Sequence, residues 1–136
     1  MLTIQGPATA PRVGETIRIE VRAEATVPIV DAPFVLLYDP AALRFAGAAA
    51  GEFLGRSGGQ VVFMVNGASR PGEVTVGAGT TSRRRGALGR GLLCEVRFEA
   101  LRAGSVRVGT GETLAVSDRG RPVAVTAAPA DLVILP

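Results

Sequence analysis

The side chains that could carry chemistry are few. The chain has no histidine and one cysteine, against twelve carboxylates and fifteen basic residues, all of them arginine. Without an imidazole there is no group whose ordinary pKa makes it a base near neutrality. Cys94 has no second cysteine to pair with and no histidine to take its proton, so it reads as a buried free thiol. Zinc would require clustered cysteine and histidine, and Asp118 lacks the acidic spacing of a calcium loop. Asp31, Asp39, Asp118 and Asp131 stand where turns or strand starts want them, and Asp39 before Pro40 is a side-chain turn initiator. Glu20, Glu24, Glu95 and Glu99 fall on wet strand faces, not in the convergent pair that glycoside hydrolysis needs. Gly77-Ala78-Gly79 is followed by no helix and is no phosphate cradle. These residues imply no catalytic centre, no metal site and no cofactor.

One local charge run remains: Arg83, Arg84 and Arg85 between Ser82 and Gly86, with Arg90 close by. Four arginines on a loop can dock an acidic partner or phosphates, and a plain solvated loop is the alternative. A nucleic-acid site would add aromatic stacking or a groove-reading element, and neither is visible, so no nucleic-acid partner is expected. The pI of 10.4 and net charge of +3 partly reflect the very high pKa of arginine, because most arginines alternate with carboxylates or stand alone.

The elements that would hold these residues are strands. From Glu15 to Glu24, Ile17, Ile19, Val21 and Ala23 take one face and Thr16, Arg18, Glu20, Arg22 and Glu24 the other, the period-two signature of a half-buried strand. From Leu92 to Ala100, Leu92, Cys94, Val96, Phe98 and Ala100 alternate with Leu93, Glu95, Arg97 and Glu99. The matched alternation predicts that the two strands pair, with opposite charges meeting on the wet face. Shorter candidates lie at Leu2–Gln5, Pro33–Tyr38, Leu43–Ala46, Gln60–Asn66, Glu73–Ala78, Ser105–Val108, Thr113–Val116, Val123–Thr126 and Leu132–Leu135. Turn signals such as Asn66-Gly67 and Pro71-Gly72 separate them, and Gln60–Ala78 reads as a hairpin. Helical turns fit only at Pro40–Leu43 and Gly51–Leu54. Eighteen glycines and nine prolines suit a fold of many short strands.

The expected fold is therefore an all-β sandwich of two sheets with about nine strands, residues 1–136 forming one domain. Its predicted core holds Ile17, Ile19, Val21, Phe34, Leu36, Tyr38, Phe45, Phe63, Cys94, Val96 and Phe98. No segment approaches the roughly 20 apolar residues of a membrane span. Met1 runs straight into Leu2-Thr3-Ile4 with no leader, and Asp131–Pro136 ends without a polar tail. The expectation is a module excised from a larger protein.

Several short motifs occur in a telling order. Val13-Gly14-Glu15-Thr16 opens the first alternating strand, and Tyr38-Asp39-Pro40 precedes Leu43-Arg44-Phe45. Gly51-Glu52-Phe53-Leu54 and Phe63-Met64-Val65-Asn66 follow, then a Gly-rich loop before Leu92–Ala100, and Val116-Ser117-Asp118 through Gly120 before the last apolar strand. This ordered set resembles a cohesin module across nearly the whole chain. The resemblance implies a jelly-roll sandwich of nine strands that is non-catalytic and binds a dockerin-like protein on one sheet face, at a cell surface or outside the cell. The arginine-rich loop and the scarcity of aromatics depart from the pattern of a cellulosomal cohesin.

Cohesin-like topology would set Pro33–Tyr38, Gln60–Asn66, Glu73–Ala78 and Ser105–Val108 side by side. If Phe34, Leu36 and Tyr38 point inward, alternation turns Pro33, Val35 and Leu37 outward. Thr75 and Gly77 would keep that surface flat and Arg107 would give it a charged rim. These six residues are the expected partner-binding face, suited to a docking helix pair. Two rivals stay open. A carbohydrate-binding module would need planar aromatics, yet tryptophan is absent and Tyr38 is the only tyrosine. A structural spacer of a surface or secretion-associated protein would show uniformly charged faces.

Overall fold

The computed structural model describes every residue except Glu112. Among the described residues twelve strands follow one another, broken by a single 3-10 turn. They are β1 (Leu2–Gln5), β2 (Thr16–Asp31), β3 (Phe34–Leu37), β4 (Leu43–Ala50), β5 (Val61–Asn66) and β6 (Glu73–Thr80). β7 (Ala87–Ala100), β8 (Gly104–Thr110), β9 (Leu114–Ser117), β10 (Pro122–Ala124), β11 (Ala127–Ala128) and β12 (Ala130–Ile134) complete the chain. The count exceeds the expected nine because the C-terminal third is cut into short pieces, the two-residue β11 among them. The helical turn is Leu54–Ser57, just beyond the predicted Gly51–Leu54.

One layer runs β4–β7–β2–β1, with β11 added in parallel to β1. The other runs β5–β6–β3–β8, with β12 continuing from β8. The sixteen-residue β2 joins them. Its first half pairs with β1 and β7, while Ile29 and Asp31 pair with β9 and Asp31 also with Gly79 of β6. Register shifts between Ala25 and Ile29 mark the bend that lets one strand change layers. This is the jelly-roll sandwich expected.

The expected pairing of the two long alternating strands is found. Ile17 lies across from Phe98, Ile19 from Val96 and Val21 from Cys94, all facing the core. On the wet side Arg18 pairs with Glu95 at 3.2 Å, Arg97 approaches the same carboxylate, and Arg44 of β4 pairs with Glu99. A one-residue slip would bury this row of charge, so the register is strongly specified.

The core departs from expectation at its margins. Tyr38, Phe45 and Phe63 are only partly buried, since Phe45 and Phe63 sit on edge strands and Tyr38 just past the end of β3. Phe53, absent from the predicted core, is fully buried. Leu93, expected on the wet face, is buried together with Cys94. A bulge opposite Val21 and Arg22 inserts it as the extra residue and reverses the alternation beyond it. Burial also pushes the Cys94 thiol up to about 12.

Candidate partner-binding face

The outer surface of the β5–β6–β3–β8 layer is where the predicted residues meet. In register, Asn66 faces Thr75 and Thr75 faces Val35; Glu73 faces Leu37 and Leu37 faces Gly109. Met64 lies across from Gly77, and Val62 across from Gly79. Alternation therefore turns Val62, Met64, Thr75, Gly77, Val35 and Leu37 to one side of the layer. Met64 is 69% exposed, Val62 46% and Leu37 38%. Pro33 is exposed at the head of β3 and Val35 is half-buried. A shallow groove beside them is bordered by Leu114, 54% exposed on β9.

Glycine stands beside each large apolar side chain. A Cβ on Gly77 would lie 3.8 Å from Met64 Cε, and one on Gly111 would lie 3.9 Å from Leu37 Cδ1. Gly79 leaves room for the Asp31 carboxylate, which a Cβ would meet at 2.4 Å. The surface is thus a plane from which a few aliphatic side chains project.

Charge pairs mark two limits of this plane. Arg107 is exposed, and its Nε donates to Asp131 Oδ1 at 2.8 Å across the β8–β12 ladder. The guanidinium holds the Asp131 carboxyl below its ordinary range, and the carboxylate raises Arg107. Arg107 lies beyond the end of β3, because β8 pairs with β3 only at Gly109 and Thr110. It stands at the edge of the plane, paired with its neighbour Asp131. At the other limit Arg83 grips Asp31 with two bonds, Nη1 to Oδ1 at 3.0 Å and Nη2 to Oδ2 at 2.7 Å. Arg83 Nη1 also donates to Thr80 O at 3.1 Å.

The structure therefore divides the predicted arginine loop. Arg83 is committed to Asp31. Arg90 is not on the loop at all but on β7 opposite Glu24, whose carboxylate lies 3.4 Å away. All three arginines of the 82–86 segment are exposed, but only Arg84 and Arg85 form no ion pair among the described residues. Sequence reasoning also missed Val62 and Met64 on the face. Their signal was present, since placing Phe63 inward forces both neighbours outward.

The two wet surfaces differ in kind. The β4–β7–β2–β1 face alternates arginine and glutamate, whereas the β5–β6–β3–β8 face is mainly aliphatic and glycine-rich, with Asn66 and Glu73 at one end. Among the described residues no cluster of histidine, cysteine and carboxylates could hold a metal ion, and no helix is long and apolar enough to cross a membrane. Sheet and face together define a jelly-roll β-sandwich module with one aliphatic plane.

The chain belongs to the cohesin domain family, whose profile matches residues 2–130. That family is one of non-catalytic interaction modules. Solved structures agree on the fold. The sixth cohesin of scaffoldin B from Acetivibrio cellulolyticus, solved in complex with a dockerin, superposes with a TM-score of 0.80 at 18% identity, covering 98% of this chain and 96% of that one. A non-cellulosomal cohesin from the archaeon Archaeoglobus fulgidus gives 0.80 at 18% identity, covering 99% and 91%. The cohesin module of a family 33 glycoside hydrolase from Clostridium perfringens gives 0.80 at 11% identity, covering 98% and 96%. A comparison with curated protein sequences finds no match.

Proposed function

We propose that this chain is a non-catalytic interaction module that holds a dockerin-type protein on the β5–β6–β3–β8 face. The observation that carries the reading is the aliphatic plane. Val62, Met64, Val35 and Leu37 are partly or largely exposed on a layer whose opposite number is covered with charge. Burying such side chains against a partner is worth about 25 cal/mol per Å² of apolar surface, and their glycine neighbours let an approaching helix reach the backbone plane. Pro33, Val35, Leu37, Thr75, Gly77, Val62 and Met64 form the contact surface, with Arg107 at its rim. The cohesin solved with a dockerin supports the choice of partner.

A sugar ligand is not supported. Tyr38 leans on Phe98 with ring centroids 4.8 Å apart, and Phe45 packs edge-on against the same ring, so neither offers an open platform. The module works as part of a larger protein outside the cell or at its surface, in keeping with family members that are modules of a scaffoldin and of a glycoside hydrolase.

The test is a pair of substitutions, Val35→Glu and Leu37→Glu, in one chain. The native chain should capture a dockerin module from a panel or from the source organism's extract, and the folded double variant should not. Equal capture by both, or none by the native chain, refutes the reading.

A further inference from the structure

Among the described residues nine of the fifteen arginines lie within 4 Å of a carboxylate. Of the six that form no ion pair among the described residues, Arg84, Arg85, Arg119 and Arg121 gather at one end of the sandwich. Arg84, Arg119 and Arg121 line one depression with Val27, Pro28 and Pro122. Arg85, next to Arg84 in the chain, is exposed but is not part of the depression's lining.

Their proximity is built by hydrogen bonds. Ser117 Oγ accepts the backbone N–H of both Arg119 and Arg121 at 3.3 Å, and Gly120 supplies the positive φ of 72° that closes the β9–β10 turn. Asp118 Oδ2 accepts the N–H of Gly86 at 3.3 Å, which ties that turn to the 82–86 segment. The one carboxylate in the cluster is thus turned to backbone and pairs with no arginine among the described residues.

The charge count sharpens the point. With these four arginines and Asp118 set aside, eleven arginines and eleven carboxylates remain in the sequence. These five groups by themselves sum to the chain's formal net charge of +3. Like charges gathered on an otherwise balanced surface raise the local potential and draw an anionic ligand.

We infer that this end of the sandwich is a second interaction site, separate from the aliphatic plane, for a short acidic segment of a protein. Guanidinium groups match carboxylates with paired donors. Val27, 41% exposed, and the two prolines offer aliphatic contact between the charged positions. No aromatic side chain lines the depression for base stacking, and the balanced charge elsewhere provides no continuous track for a phosphate backbone.

Fluorescence anisotropy at low salt tests the site. The probe is a short labelled peptide of glutamates alternating with alanine and valine, compared with oligothymidylate and a heparin fragment. The peptide should bind best. Paired substitution of Arg119→Gln with Arg121→Gln, or of Arg84→Gln with Arg85→Gln, should weaken it about tenfold or more. The control pair Arg12→Gln with Arg70→Gln, which removes two arginines outside the cluster, should leave binding unchanged. Circular dichroism confirms that each variant is folded. Tighter binding of oligothymidylate or heparin, equal loss in the control, or no binding of the peptide overturns the inference.

Discussion

Met64 and Gly77 face each other across the β5–β6 ladder, and the room above Gly77 is what leaves the methionine side chain standing free on the sheet. A Cβ there would make only ordinary contact with Met64 Cε at 3.8 Å. Gly77→Ala should therefore raise stability by about 0.5–1 kcal/mol, because alanine loses less backbone entropy in a strand. Gly77→Trp should fold yet weaken partner capture about tenfold or more, since a ring at that position lifts an approaching helix off the plane. Thermal melting and calorimetric titration separate the two effects. A tryptophan variant with native affinity would remove Gly77 from the contact surface.

Phe98 is fully buried and receives both Tyr38 and Phe45 on its ring. Phe98→Ala should cost about 3–5 kcal/mol, transfer and cavity terms together. Chemical denaturation measures this directly, and an unchanged midpoint would contradict the packing described.

Burial disfavours the thiolate and pushes the Cys94 thiol up to about 12 from an ordinary value of 9.0. The sign follows from linkage. The folded state holds the proton more tightly than the unfolded state, so this contribution is complete below pH 9 and lost as the pH rises from 9 towards 12. Cys94→Ala should flatten that alkaline limb of the stability curve. The native thiol should react with a disulfide reagent at pH 8 only at the rate of unfolding, and rapid labelling of the folded chain would disprove its burial.

Asp31 and Arg83 anchor the 82–86 segment to the corner where β2 changes layers. The Arg83 and Asp31 side chains are 54% and 34% exposed, so Asp31→Asn should lower the melting temperature only slightly. Local opening is another matter. Amide exchange across residues 82–86 should quicken about tenfold, and the acidic-peptide site should weaken as Arg84 and Arg85 lose their fixed position. Unaltered exchange would show that the segment is held by Asp118 alone.

Gly51 makes the closest approach to another backbone of any glycine. A Cβ at this position would sit 2.1 Å from the carbonyl oxygen of Leu92, and backbone cannot move aside as a flexible side chain can. Gly51→Ala should destabilise by about 1–3 kcal/mol. A neutral effect in denaturation would mean that the 51–53 link to β7 is looser than its two backbone hydrogen bonds, to Leu93 and Leu92, indicate.

The sequence by itself determined which residues face the core along β2 and most of β7, because strict alternation admits one burial pattern for a strand. The Asn66-Gly67 and Pro71-Gly72 turns placed the β5–β6 hairpin, and Asp39 before Pro40 placed a turn in which Asp39 Oδ1 does accept the N–H of Ala41. Half of the aliphatic face was equally legible from Phe34 and Leu36, whose burial turns Val35 outward. What alternation cannot report is a change of phase. The bulge that buries Leu93 leaves no mark in a window of alternating residues, and the bend in β2 depends on which layer offers its backbone a partner. Charge was the least legible of all. A run of arginines looks like one patch in the sequence, but folding set Asp31 beside Arg83 and Glu24 beside Arg90, and brought Arg119 and Arg121 from more than thirty positions away to Arg84. Only tertiary structure decides which charges cancel, because the Coulomb interaction depends on distance in space and not on separation along the chain.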